Sequence, residues 1–264
     1  MKDNIIQVQL WNKDVGLLSW DDKQGCSVFQ FDKDFIAPLD SAYVQKSFPM
    51  SGNKEKLYGG LPEFIADSLP DYWGNIVFQK WMEANHLHPK SVNAVDRLSF
   101  IGKRAIGALE FQPAHIQEDA SINIELSSLY ELANRLFLDR QDVNIDMSNN
   151  LIMEDLYKVG TSAGGQRPKA IIGMDEDTGI IRSGQADLPP NFKHYILKFD
   201  TSKQNEQPCT KVEMAYYLMA KDAGINMMPS KLVEIEGRQN FLTQRFDRHN
   251  GKKIHTQTLA AMSS

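Results

Sequence analysis

The stretch GTSAGGQRPKAII, residues 160–172, decides how the second half of this chain is interpreted. It combines three glycines with two hydroxyl side chains and runs directly into an apolar segment typical of a β-strand. Successive backbone N–H groups in such a loop can converge on an anion, and glycine lets the backbone approach phosphate oxygens closely. The loop matches neither the Walker A pattern nor G-x-G-x-x-G, so a surface hairpin turn remains the alternative.

A lysine and a glutamate that follow the loop in sequence indicate which ligand the loop could bind. Lys198 lies in the apolar strand candidate HYILKF, residues 194–199, where an ammonium group is costly unless it is paired or faces a cleft. Glu213 lies near the start of a predicted helix that buries an apolar stripe. The stripe comprises Val212, Ala215, Tyr216 and Met219. Protein kinases hold ATP phosphates with such a lysine and glutamate beneath a glycine-rich loop. The alternative is a solvated edge-strand lysine and a glutamate favoured by the helix dipole.

The segment NFLTQRFDRHNG, residues 240–251, predicts a strand that gives way to charged, extended chain. In a kinase-like lobe this is the position of the hinge, which presents backbone groups to adenine, with Phe246 as an apolar wall. The alternative is a plain strand-to-turn transition in which Arg245, Asp247 and Arg248 are solvated.

The first half of the chain predicts a separate, β-rich subdomain. Residues 5–10, 15–20 and 26–31 are short apolar or β-branched runs separated by turn-forming residues, which is typical of hairpins. Residues 98–111 carry two glycines between apolar runs and are also predicted to form a hairpin. A linker over residues 113–121 then predicts domains at 1–113 and 122–264, and an α+β fold class.

The amino-acid composition argues against several classes of function. The 264 residues carry 29 Lys and Arg against 34 Asp and Glu, so the net charge of −5 provides no chain-wide field for nucleic acid. The two cysteines have no metal-ligand spacing, which argues against a disulfide framework or a zinc site and predicts no metal ligands in this chain. No long uncharged stretch is present, so we expect a soluble, cytoplasmic protein.

Six segments together resemble the HipA family of bacterial serine/threonine protein kinases, the toxins of HipA/HipB toxin–antitoxin modules. In chain order they are DSLPDYWGN, LSFIGKRAIGALEF, GTSAGGQRPKA, HYILKFD, VEMAYYLMAKDAGI and QRFDRHNGKKIHTQTLAAM. The resemblance implies a small β-rich N-terminal subdomain followed by a protein-kinase-like N-lobe of antiparallel sheet and helices. It also implies ATP and Mg as cofactors, a HipB-like antitoxin as partner, and contact with DNA only through that antitoxin.

The resemblance also implies roles for individual residues. The phosphate-binding loop would be residues 160–166, with Thr161 or Ser162 as the autophosphorylated hydroxyl. Lys198 would contact the ATP phosphates, Glu213 would be its partner, and residues 244–246 would bind adenine. The implied ATP-binding set is Gly160, Thr161, Ser162, Ala163, Gly164, Gly165, Gln166, Lys198, Glu213, Gln244 and Phe246.

The chain departs from the family at its end. Family members continue into a helical C-lobe with the catalytic aspartate and the magnesium ligands, and neither H-x-D-x-x-x-x-N nor D-F-G occurs in this sequence. Asp247 is the residue whose local sequence is most similar to that of the catalytic aspartate, but it belongs to the hinge segment, so we do not assign it as a base. We therefore expect no catalytic residues in this chain, Mg ligands in the missing lobe, and no activity of the chain by itself. The alternative is a truncated, non-catalytic relative that docks an antitoxin or a complete kinase.

Overall fold

The structure is a computed structural model that describes residues 5–35, 50–88, 91–115, 124–138, 147–160, 164–185, 187–203 and 206–262. Its elements in chain order are β1 (Ile5–Leu10), β2 (Lys13–Asp21), β3 (Cys26–Phe31), β4 (Met50–Ser51), α1 (Glu63–Ala66), α2 (Tyr72–Ala84), α3 (Ala94–Ile101), β5 (Leu109–Gln112), α4 (Leu126–Leu138), α5 (Met147–Gly160), β6 (Lys169–Asp175), β7 (Ile181–Ser183), β8 (Phe192–Lys198), α6 (Cys209–Asp222), β9 (Ser230–Ile235), β10 (Arg238–Gln244), β11 (Arg248–His249), β12 (Lys252–Lys253) and α7 (Leu259–Met262).

The chain forms two compact units that alternate along the sequence. The first comprises Met1–Leu69, His88–Gln117 and Lys253–Ser264, and the second comprises Pro70–Leu87 and Glu118–Lys252. Helices and antiparallel sheets are mixed, in agreement with the predicted α+β class. None of the helices in the described ranges is long and apolar enough to cross a membrane.

The first unit is built on a five-stranded antiparallel sheet of order β4-β3-β2-β1-β5. Along β1, Ile6, Val8 and Leu10 are buried while their neighbours are partly or fully exposed. This alternation places one face of the sheet on the core, which α1 and α3 complete. The strands predicted over residues 5–10, 15–20 and 26–31 are confirmed.

The hairpin predicted over residues 98–111 is wrong, because this region begins in a helix. Asn93 and Asp96 each accept a hydrogen bond from the other's backbone N–H, a capping box that starts α3. Gly102 ends the helix with a φ of +57°, a conformation that favours glycine. The chain then enters β5, whose partner is the N-terminal strand β1 and not a second strand from residues 98–111.

The second unit contains a five-stranded antiparallel sheet of order β7-β6-β8-β10-β9. One face carries Ala170, Leu197 and Leu242, all buried. Helix α5 packs against β6 and against α2 and α4, and α6 packs against β9 and β10. The opposite face of the sheet carries Lys169 and Lys198, and it is here that the predicted site lies.

Helix α6 forms where predicted, but its predicted buried stripe is wrong. Val212, Tyr216 and Met219 are 44%, 66% and 63% exposed, while Thr210 and Tyr217 on another side are buried. Periodicity identifies an apolar face of a helix, but tertiary packing decides which side meets the sheet. The apolar face of α6 is therefore exposed in the described structure.

Candidate functional site

The structure brings Lys198 and Glu213 together. Lys198 is the last residue of β8, and its Nζ donates a hydrogen bond to Oε1 of Glu213 in the second turn of α6. The same Nζ lies 5.7 Å from the ring centroid of Phe241 on β10. Lys198 is thus a partly exposed lysine paired with Glu213. It lies on a central strand of the sheet, so the edge-strand part of the alternative is wrong.

A second lysine, Lys169, lies beside this pair. In the register of β6 with β8, Lys169 is directly opposite Lys198, so both side chains leave the same face of the sheet. Lys169 is 4% exposed, and its Nζ donates to the carbonyl oxygen of Gly164 at 2.6 Å. Burial, together with the charge of Lys198, lowers the pKa of Lys169 to about 8, although the negative charges of Asp71 and Glu213 oppose the shift. Lys169 was not among the sequence-predicted site residues.

The glycine-rich loop joins α5 to β6. Of its residues, Thr161, Ser162 and Ala163 lie outside the described part of the chain. Gly165 has a φ of +113°, which strains any residue that has a Cβ, and a Cβ at this position would lie 2.5 Å from Nζ of Lys169 and displace it. Gln166 is exposed. The turn of the β6–β7 hairpin lies elsewhere, at residues 176–180, so the interpretation of the loop as a hairpin turn is wrong.

Two residues at the start of α2 hold this loop, and both were missed as site residues. Oδ2 of Asp71 accepts a hydrogen bond from the N–H of Gly165. The backbone N–H of Trp73 donates to the carbonyl oxygen of Gly165 at 3.3 Å, and its indole N–H donates to the carbonyl oxygen of Lys169 at 3.0 Å. Trp73 is fully buried. The sequence signal was the segment DSLPDYWGN, which did not indicate what it contacts.

The predicted hinge, residues 244–246, begins at the last residue of β10. The N–H of Gln244 donates to the carbonyl oxygen of Pro229 at 3.0 Å, and that of Arg245 to the carbonyl oxygen of His194 at 2.9 Å. A ligand at this segment would therefore have to use other hinge groups. Phe246 is 59% exposed.

The charged residues around the hinge are buried, so the alternative of solvated side chains is wrong. Arg245 donates to both carboxylate oxygens of Asp247, at 2.8 and 2.6 Å, and Arg248 donates to one of them at 2.8 Å. Asp247 is 2% exposed and Arg245 is 1% exposed. Since its oxygens are occupied by two guanidinium groups, Asp247 is a structural ion-pair partner and not a free base.

A cavity of about 520 Å³ lies beside the hinge, lined by Leu188, Pro190, Phe192, His194, Gln244 and Arg248 among others. His194 lies on the same face of β8 as Lys198, four residues earlier, which is about 13 Å along the strand. Burial lowers the pKa of His194 to about 4, so the imidazole is neutral near pH 7. The face between the two ends of β8 carries Ile171, Ile196 and Thr243.

No three His, Cys, Asp or Glu side chains that could hold a metal ion come together within the ranges that the structure describes. The charged groups of the site are two lysines and two carboxylates. In the described structure Lys198 is paired with Glu213, while Lys169 and Asp71 hydrogen-bond to the glycine-rich loop.

Comparisons with known proteins identify the family. Residues 6–112 match the family described as the HipA N-terminal domain, and residues 161–264 match the HipA-like C-terminal domain. The second match starts within the glycine-rich loop and includes Lys198, Glu213 and Gln244. Both matched domains are parts of HipA-like proteins. The chain belongs to the HipA family.

Among solved structures, the chain is similar to one from Shewanella oneidensis MR-1, described as the toxin–antitoxin system HipA, HipB and its operator DNA complex. The TM-score is 0.52 at 17% identity, over 96% of this chain and 53% of that chain. This likeness shows the fold, and the chain spans about half the length of that protein. No curated protein matches the chain. The domain boundaries at 113 and 122, the kinase-like N-lobe and the missing C-lobe remain predictions.

Proposed function

We propose that this chain binds ATP and provides the nucleotide-binding part of a HipA-like serine/threonine protein kinase, the toxin of a toxin–antitoxin module. The observation that carries the proposal is the Lys198–Glu213 pair, which lies with Lys169 beneath the glycine-rich loop. Family membership supports the assignment, because the chain belongs to a family of such kinases.

The connectivity of the second unit supports the same function. In protein kinases the phosphate-binding lysine lies on the third strand and pairs with a glutamate of the helix that follows. Here Lys198 ends β8, the third strand of its sheet in chain order, and Glu213 lies on the following helix, α6. The glycine loop differs in position, since it precedes the first strand of the sheet instead of joining the first two.

The opposite end of the same face is suited to the base of the nucleotide. The cavity beside Gln244 lies about 13 Å along β8 from Lys198, a distance that one nucleoside triphosphate can span. Ile196 and Thr243, both partly exposed, lie on the face between them. We propose that the phosphates lie against Lys198 and the loop, and that adenine lies toward the hinge.

Autophosphorylation, the metal and the partner are proposed because the family implies them. Thr161 and Ser162 are the proposed autophosphorylation sites of the loop. We propose that magnesium accompanies ATP, and that its ligands and the catalytic aspartate are not among the residues named here. The proposed partner is a HipB-like antitoxin, because the similar Shewanella oneidensis structure contains HipA together with HipB and operator DNA. We propose that any contact of this chain with DNA is made through that antitoxin.

Equilibrium binding of MgATP to the full chain by isothermal titration calorimetry tests the proposal. Lys198→Ala removes the phosphate-binding ammonium, so we expect at least tenfold weaker binding. Lys231→Ala is the matched control, because Lys231 is an exposed lysine on β9 of the same sheet that lies near Glu176 and outside the cavity. No measurable binding by the parent chain, or equal loss in both variants, would contradict the proposal.

A second function, docking of an antitoxin or of a complete kinase, is favoured by one observation. Val212, Tyr216 and Met219 give α6 an exposed apolar face, and such faces mark protein interaction sites when they are contiguous. Docking and nucleotide binding use different sides of α6, so the two functions are compatible.

A further inference from the structure

We propose that Asp71, supported by Trp73, is a positioning residue that sets the orientation of the Gly164–Gly165 peptide in the glycine-rich loop. The inference rests on the proposed ATP-binding function, because it concerns how the loop presents its backbone to the nucleotide. It extends that function to α2, an element about 90 residues before the loop in sequence.

Both polar atoms of one peptide unit are held by opposite charges. The carbonyl oxygen of Gly164 accepts a hydrogen bond from the Lys169 ammonium at 2.6 Å. The N–H of the same unit, on Gly165, donates to the Asp71 carboxylate. The peptide dipole therefore lies between a cation and an anion, and each hydrogen bond is charge-assisted.

This arrangement matters because a peptide between two glycines rotates easily. Neither residue has a Cβ, and Gly165 already adopts a φ of +113°. Without Asp71 the Lys169 ammonium alone holds this peptide unit, so we expect the N–H of Gly165 to turn more easily and other backbone groups of the loop to face the nucleotide more often. Asp71 thus determines which groups of the loop are available to phosphate.

Trp73 hydrogen-bonds to the backbone on the C-terminal side of this peptide. Its backbone N–H donates to the carbonyl oxygen of Gly165, and its indole N–H donates to that of Lys169 at 3.0 Å. A Cβ on Gly160 would lie 3.6 Å from the indole nitrogen, so the same buried ring lies against both ends of the loop. Two hydrogen bonds from Trp73 therefore hold the start of α2 against the loop, which places Asp71 beside Gly165.

The carboxylate has one alternative role, since it occupies an N–H that a phosphate oxygen could also accept from. If Asp71 were a competitor of phosphate, removing its charge would strengthen nucleotide binding. If it positions the peptide, an uncharged acceptor of the same shape preserves binding and loss of the acceptor weakens it. Asparagine and alanine at this position separate the two roles.

The experiment uses the full chain with Asp71→Ala and Asp71→Asn, and with Asp177→Ala as an exposed aspartate control on the β6–β7 turn. Hydrogen–deuterium exchange without nucleotide measures the peptides that cover residues 160–170, and calorimetry measures MgATP affinity. We expect Asp71→Ala to speed exchange of the loop and to weaken binding, each about tenfold. Asp71→Asn should remain within about threefold of the parent in both, with the control unchanged.

Three results would overturn the inference. The first is that Asp71→Ala leaves the exchange rate of the loop unchanged. The second is that Asp71→Asn departs from the parent as far as Asp71→Ala does in exchange and in affinity. The third is that both variants bind ATP more tightly, which would make Asp71 a competitor of phosphate. Absence of ATP binding by the parent would refute the proposed function, and the exchange data would still decide whether Asp71 holds the peptide.

Discussion

Replacing Lys169 by methionine tests whether the site contains a buried ammonium group beside Lys198. Burial lowers the pKa of Lys169 from 10.5 to about 8. Between these values the unfolded chain binds a proton that the folded chain has released, so this residue makes the stability of the parent rise with pH. Proton linkage with these two values gives a rise of about 2.5 kcal/mol between pH 7 and pH 10.

Methionine has a similar length and no charge, so Lys169→Met lacks this contribution. Urea unfolding of both proteins at several pH values gives the free energy of unfolding of the variant minus that of the parent. We expect this difference to fall by about 2 to 3 kcal/mol from pH 7 to pH 10, because the parent gains stability that the variant cannot gain. Lys193→Met, at an exposed position of β8, should show no such trend. A difference for Lys169→Met that does not change with pH would refute the reasoning.

Two further predictions concern the hinge and α6. Asp247→Ala leaves the guanidinium groups of Arg245 and Arg248 buried without their anion, so we expect a loss of about 3 to 5 kcal/mol in urea unfolding, and a loss below about 1 kcal/mol would contradict the structural role of this cluster. Tyr216→Asp places a charge on the exposed apolar face of α6, so we expect at least tenfold weaker binding of a HipB-like antitoxin with an unchanged Tm, and equal affinity would exclude this face from docking.

The parts of the fold that the sequence predicted well are those with strong local signals. The apolar alternation of residues 5–10 and 26–31 has the period of a half-buried strand, and both strands form there. Lys198 and Glu213 meet because a strand and the helix that follows it pack together, which is a short-range consequence of connectivity.

The errors arise where tertiary structure overrides a local pattern. Residues 98–111 contain glycines between apolar runs, which suits either a hairpin or a helix end, and the decisive capping residues Asn93 and Asp96 lie before the segment. On α6 the apolar stripe was located correctly in sequence but lies away from the sheet. Charged residues are usually solvated, so the burial of Arg245 and Asp247 had no sequence signal.

The missed site residues depend on register and on long-range contact. Lys169 enters the site because β6 pairs with β8 so that it is opposite Lys198, and a sequence does not specify that register directly. Asp71 and Trp73 reach the loop from an element far away in sequence. A lysine at the edge of an apolar run directly after the glycine loop was the one local sign that the site contains a second cation.

The most direct test of the nucleotide site is labelling of the full chain with an acyl-phosphate derivative of ATP, which acylates lysine amines that lie beside the bound phosphates. We predict that mass spectrometry finds the label on Lys169 or Lys198, that excess ATP suppresses it, and that the exposed Lys231, outside the cavity, is not labelled above background. Label spread over exposed lysines, or label at the site that ATP does not suppress, would contradict the account.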